Sequence, residues 1–138
     1  MVAPNICVMR CSFIFKEIVE YMKEKKTILF VGTIDRNKNI DFLMKVFGLV
    51  LKQYGDINFL IIGKGDEEYL EQCKNNTSAE LSEHVRHYSG VDNAEMKYIF
   101  PNAEMLVLPS KSEIFGMVML EAMYLGCPVV TRDRKSVV

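Results

Sequence analysis

A chain of 138 residues, 49% hydrophobic and 25% charged, is long enough to bury the core of one ordinary domain without help from a disulfide or a metal. Its 17 basic and 18 acidic side chains leave a formal charge of -1, so it lacks the broad positive field that nucleic-acid or anionic-membrane binding requires. No apolar run approaches the roughly 20 residues that span a bilayer, and Val2 to Phe15 lacks the basic start and continuous apolar core of a secretory signal, so a cytoplasmic protein is expected.

Residues 1–26 are expected to form a linker and an N-terminal helix, because Phe13, Ile14, Glu17, Ile18, Tyr21 and Met22 recur at helical spacing. Lys23 to Lys26, broken by Glu24, is then a solvated helix end. Residues 27–138 are expected to be the folded domain. Its first strand is Thr27-Ile28-Leu29-Phe30-Val31, continuously apolar after Thr27 and halted at Gly32. A polar turn, Thr33 to Asn39, leads into a helix whose apolar stripe is Phe42, Leu43, Val46, Phe47, Val50 and Leu51.

The unit then repeats. Ile57 to Ile62 is a second strand ending in Gly63-Lys64-Gly65, and Asp66 to about Lys74 carries a helix with acids in its first turn, where the helix dipole favours them. A third strand is expected at Val85 to Tyr88, then a short helix capped by Asp92 or Asn93 and running through Ile99. Met105-Leu106-Val107-Leu108 is a fourth strand, Ile114 to Leu125 a helix ended by Gly126, and Pro128 to Thr131 a fifth strand. Strands alternating with helices imply an α/β fold, a Rossmann-like parallel sheet with helices on both faces. Ligands bind such sheets beyond the carboxyl ends of the strands, which here means the turns at Gly32, Gly63, Gly90 and Pro109.

Chemistry-bearing residues gather at those turns. Gly32 to Lys38 ends a strand and opens a helix, a place where free amides and Lys38 can meet a phosphate. Gly63-Lys64-Gly65 permits close backbone approach but lacks the third glycine of a dinucleotide fingerprint, so no nicotinamide cofactor is expected. In Pro109 to Met123, Glu113 and Glu121 bracket the start of a helix; a carboxylate accepts two hydrogen bonds from a vicinal diol, and the amides near Gly116 and Met117 face a phosphate. Cys7, Cys11, Cys73 and Cys127 include no C-x-x-C pair and have no His at metal spacing, so plain thiols are expected. His84 and His87 have no nearby Ser or Cys in a context that suggests a nucleophile.

Those same residues resemble the group 1 glycosyltransferases: Ile28 to Gly32 followed by Lys38, Gly63-Lys64-Gly65, Ser89-Gly90-Val91, Leu108-Pro109-Ser110, Glu113-Ile114-Phe115-Gly116, Glu121-Ala122-Met123 and Gly126 to Val130. Ala3-Pro4-Asn5-Ile6 resembles the linker that precedes this half in complete members. The resemblance implies half of a GT-B enzyme that transfers a hexose from a nucleoside-diphosphate sugar with retention, without a metal or other cofactor; no Asp-x-Asp motif occurs. It assigns Glu113 to the donor hexose, Glu121 to the ribose, and Phe115, Gly116, Met117 and Val118 to backbone contacts with sugar and phosphate. It further implies that Lys38 faces the leaving diphosphate beside Gly32 and Thr33, and that Gly63, Gly65, Gly90 and Val91 lie near the base.

Many members carry Arg directly after the first-strand glycine; here Thr33 stands there, with Arg36 as the nearest substitute. Complete members also have an N-terminal domain for the acceptor, a glycan or lipid, and further elements after the fifth strand. Against that pattern the chain is expected to be truncated at both ends, to be inactive alone and to expose a sheet edge or apolar face. The alternative is a non-catalytic fragment that only binds a nucleotide or a partner chain.

Overall fold

The computed structural model describes residues 2–110 and 116–132. The chain runs α1 (Val2–Glu24), β1 (Lys26–Val31), a 3₁₀ turn (Arg36–Lys38), α2 (Ile40–Tyr54), β2 (Ile57–Ile62), α3 (Glu67–Asn75) and α4 (Ala79–Glu83). It continues with β3 (Val85–Tyr88), α5 (Asn93–Asn102), β4 (Met105–Leu108), α6 (Met117–Tyr124) and β5 (Val129–Thr131). The expected strands all form, and the order β3-β2-β1-β4-β5 with every pairing parallel is the doubly wound arrangement. The order of strand addition switches sides between β1 and β4, so a crevice opens there at the carboxyl ends.

Burial explains why the strands are so apolar. Every residue of β2 is buried, as are Thr27 to Phe30 of β1, because helices cover both faces of the sheet. On one side α2 contacts β2, α3 and α4, with Phe47 stacked on Phe59 at 4.1 Å between centroids. On the other side α1 contacts β1 and α5, where Phe15 meets Tyr98 edge-on. The buried polar groups of the sheet are paired: Asn58 Nδ2 donates to the Tyr21 carbonyl, and the Thr27 hydroxyl donates to the Lys25 carbonyl. Tyr21 locks α1 down by donating to the carbonyls of His84 (2.6 Å) and Phe59 (3.2 Å), and Arg86 covers its ring.

The main differences from the sequence reading lie at the N-terminus, between α3 and β3, and at the last helix. The N-terminal helix begins at Val2, so Ala3 to Ile6 lie inside α1 rather than in a linker. The helix α4 was not expected; Ser78 caps it by accepting from the Leu81 amide, and Leu81 alone of its side chains is buried. The last helix is described from Met117, after Gly116, which has extended dihedrals and serves as the cap; its expected start at Ile114 lies outside the described residues. At this end of the sheet α6 exposes Met123 and Tyr124, and β5 exposes Val130.

Candidate functional site

The crevice is built by stitching neighbouring strand exits together through their backbones. After β1, Gly32 N donates to Ile62 O (3.0 Å) and Ile34 N to Lys64 O (2.8 Å), while Asp66 N returns a bond to Ile34 O (2.8 Å). The turn after β2 is held from β3 as well: Gly63 N donates to Tyr88 O (3.0 Å), and His87 Nε2 donates to Gly63 O (2.8 Å). This packing is what requires the two glycines. Gly63 (φ +154) and Gly65 (φ +149) lie where a Cβ would run into the backbone of Gly32 and Ile34 respectively.

The other side of the crevice is tied in by Asn39. It sits at φ +61, caps α2, and its buried Nδ2 donates across the switch point to the Pro109 carbonyl (3.3 Å). Asp35 fixes the preceding turn by accepting from the Lys38 amide (3.0 Å). The Lys38 stem thereby crosses Gly32, its Cε 3.8 Å from where a Gly32 Cβ would stand. The Arg36 guanidinium lies 4.6 Å from the centroid of the Tyr69 ring, which belongs to α3.

Between these walls lies a cleft of ≈590 Å³. Of the expected site residues, Gly32, Thr33, Gly63, Gly65, Val91, Met117, Val118 and Glu121 line it together. Met117, Val118 and Glu121 share one face of α6 through their i,i+4 and i,i+3 spacing, and Glu121 is the one carboxylate among the described lining residues. Gly116 caps α6 without a side-chain acceptor, which leaves the positive end of the helix beside the cleft.

Lys38 and Gly116 border this cleft without lining it, and Gly90 lines an adjoining cavity of ≈340 Å³ shared with Lys64, Ser89, Val91, Asp92 and Glu95. Burial, and then the like charge of Asp92, push the Glu95 carboxyl above its ordinary range. Glu113 and Phe115 lie outside the described residues. Sequence reasoning did not single out Lys64 as a lining side chain, nor the exposed Ser89 and Asn93 and the buried Met96 and Phe100 that also line the cleft. Asn93, Met96 and Phe100 are placed there by α5, so only the packing of α5 over the strand ends reveals them. Among the described residues no group of His, Cys, Asp and Glu could hold a metal ion, and no helix is long and apolar enough to cross a membrane.

Comparison with known proteins places this geometry in a family. The sequence profile of glycosyl transferases group 1 matches residues 13–138. A phosphatidyl-myo-inositol mannosyltransferase of Mycobacterium leprae is 34% identical over 119 residues, covering 85% of this chain and 31% of the relative. An uncharacterized 41.2 kDa protein in the cps region of Klebsiella pneumoniae is also 34% identical, covering 85% of this chain and 30% of that protein. The chain therefore spans about a third of the length of the relatives it matches.

Among solved structures, the pneumococcal O-GlcNAc transferase GtfA, crystallised with UDP and GlcNAc, superposes with a TM-score of 0.69 at 24% identity. That match covers 80% of this chain and 21% of GtfA. The C-terminal domain of a group 1 family protein from Francisella tularensis gives 0.69 at 22% identity, over 77% of this chain and 57% of that domain. The fold is that of one Rossmann-like half of a GT-B enzyme, and the chain belongs to the glycosyl transferases group 1 family.

Proposed function

We propose that this chain is the donor-binding half of a retaining, metal-independent hexosyltransferase that uses a nucleoside-diphosphate sugar. The observation that carries the reading is the convergence, in one cleft at the switch point, of two glycine turns, the first turn of α6 and Glu121. A pyrophosphate-linked sugar needs this combination: amides and a helix dipole for the phosphates, and a carboxylate for a vicinal diol. In this reading Glu121 accepts from the ribose hydroxyls and Glu113 from the hexose. Gly116, Met117 and Val118, with Phe115, present amides to sugar and phosphate, and Gly63, Gly65, Gly90 and Val91 frame the base.

The reaction breaks the bond between the anomeric carbon and the diphosphate oxygen, and the electron pair leaves with the diphosphate. The acceptor hydroxyl oxygen bonds that carbon on the same face, and its proton passes to the departing diphosphate. Lys38, whose stem lies over Gly32, opposes the charge that develops on the leaving group. The acceptor, a glycan or lipid, is held by the other half of a complete enzyme, which works in the cytoplasm or peripherally at the membrane. Alone, the chain binds donor without efficient transfer.

Calorimetric titration of the chain with nucleoside diphosphates tests the reading. Binding without magnesium, weakened about tenfold by Glu121→Ala, is expected for the loss of one charged hydrogen-bonding partner. Absence of binding by the unaltered chain refutes it.

A further inference from the structure

We propose that Lys64 is a specificity-determining residue of this cleft, a second cation in addition to Lys38 that makes it prefer a diphosphate over a monophosphate or an uncharged nucleoside. The inference rests on the donor-site reading above. Lys64 is the one cationic side chain among the described residues that line the ≈590 Å³ cleft.

Its backbone is fixed against the first-strand turn. Ile34 N donates to Lys64 O at 2.8 Å, and Gly65 pairs with Ile34 in a parallel bridge, so Lys64 is held directly beside Thr33 and Ile34. A positive charge at position 64 therefore serves the neighbourhood of Thr33, an uncharged position, while the Arg36 guanidinium lies over the Tyr69 ring.

The side chain is available for a ligand. Lys64 is exposed, and no carboxylate among the described residues lies within ion-pair distance of its ammonium. The strand order puts the turn after β2 on one side of β1 and α6, which follows β4, on the other. An anion seated between them meets the dipole of α6 from one side and Lys64 from the other. Among the described lining residues no other on the β2 side of the cleft is charged, so the contribution of Lys64 scales with the charge on the ligand.

The test is titration of the full chain, at low salt and without magnesium, with UDP, UMP and uridine and with GDP, GMP and guanosine. Lys64→Gln is expected to weaken the diphosphate about five- to tenfold and the nucleoside by less than about twofold, and Lys64→Arg to restore diphosphate binding. The salt dependence of diphosphate binding becomes shallower in Lys64→Gln. An unchanged diphosphate Kd, or an equal loss for diphosphate and nucleoside, overturns the assignment while leaving the donor site intact. A wild-type chain that binds none of the six ligands overturns the donor site, and this assignment with it.

Discussion

Gly63 packs so closely on Gly32 that a Cβ on the former would overlap the carbonyl of the latter. The two residues end adjacent parallel strands, and their contact brings the two turns of the cleft together. Gly63→Ala is expected to destabilise the chain by on the order of 2–4 kcal/mol, because both the positive φ and the backbone overlap must be relieved. Gly90, with open space around it and no positive φ, is the control: Gly90→Ala should be close to neutral in the same denaturant titration.

Asn39 combines a left-handed backbone with a buried bond to Pro109, and the two contributions separate by substitution. Asn39→Gly loses the bond but keeps an easy φ. Asn39→Ala loses the bond and keeps a Cβ in the left-handed region without the polar side chain that lets Asn tolerate it. The alanine variant should be less stable than the glycine variant by about 1 kcal/mol, measured by urea unfolding. Equal stabilities would mean that the backbone strain is relieved elsewhere.

Most of the strands were legible because they are apolar runs stopped by Gly, Pro or a polar turn, as Ile57 to Ile62 is by Gly63 and Met105 to Leu108 by Pro109, whereas β3, Val85-Arg86-His87-Tyr88, is marked mainly by the Ser89-Gly90 turn that follows it. The helix α4 was not, since with Leu81 its single buried side chain it offers no periodicity. The cleft was legible as a set of turns. What each residue does there was not, because the deciding partners are distant in sequence: Arg36 finds Tyr69, Asn39 finds Pro109, and His87 finds Gly63. Only the strand order makes those pairs neighbours.

Burial raises the hydroxyls of Tyr21 and Tyr69 to about 12. For an acid whose folded pKa exceeds its unfolded value near 10, stability is intact below pH ~10 and declines as pH rises toward 12. Alkaline unfolding should therefore begin above pH ~10 and coincide with tyrosinate absorbance rather than follow it. Tyr21→Phe removes the donor to the His84 and Phe59 carbonyls and should cost about 1–2 kcal/mol at neutral pH.

Cys73 and Cys127 are buried, and desolvation pushes both thiols above their ordinary range. Peptide mapping after treatment with a thiol reagent at pH 8 should find both at least about tenfold slower to react than in denaturant, since the thiolate is the reacting form. Fast labelling of either in the folded chain would show that its site opens readily.

The most direct test of the donor site is where a nucleoside diphosphate perturbs backbone amides in a nuclear magnetic resonance titration. Shifts should cluster at Gly32, Thr33, Gly65, Val91, Met117 and Glu121, which surround the cleft at the carboxyl ends of the strands. A second cavity of ≈450 Å³, lined by Lys26, Tyr54, Asp56 and Glu104, lies by the start of β1 and of β2. Shifts confined there, or no shifts at all at saturating ligand, would contradict the account.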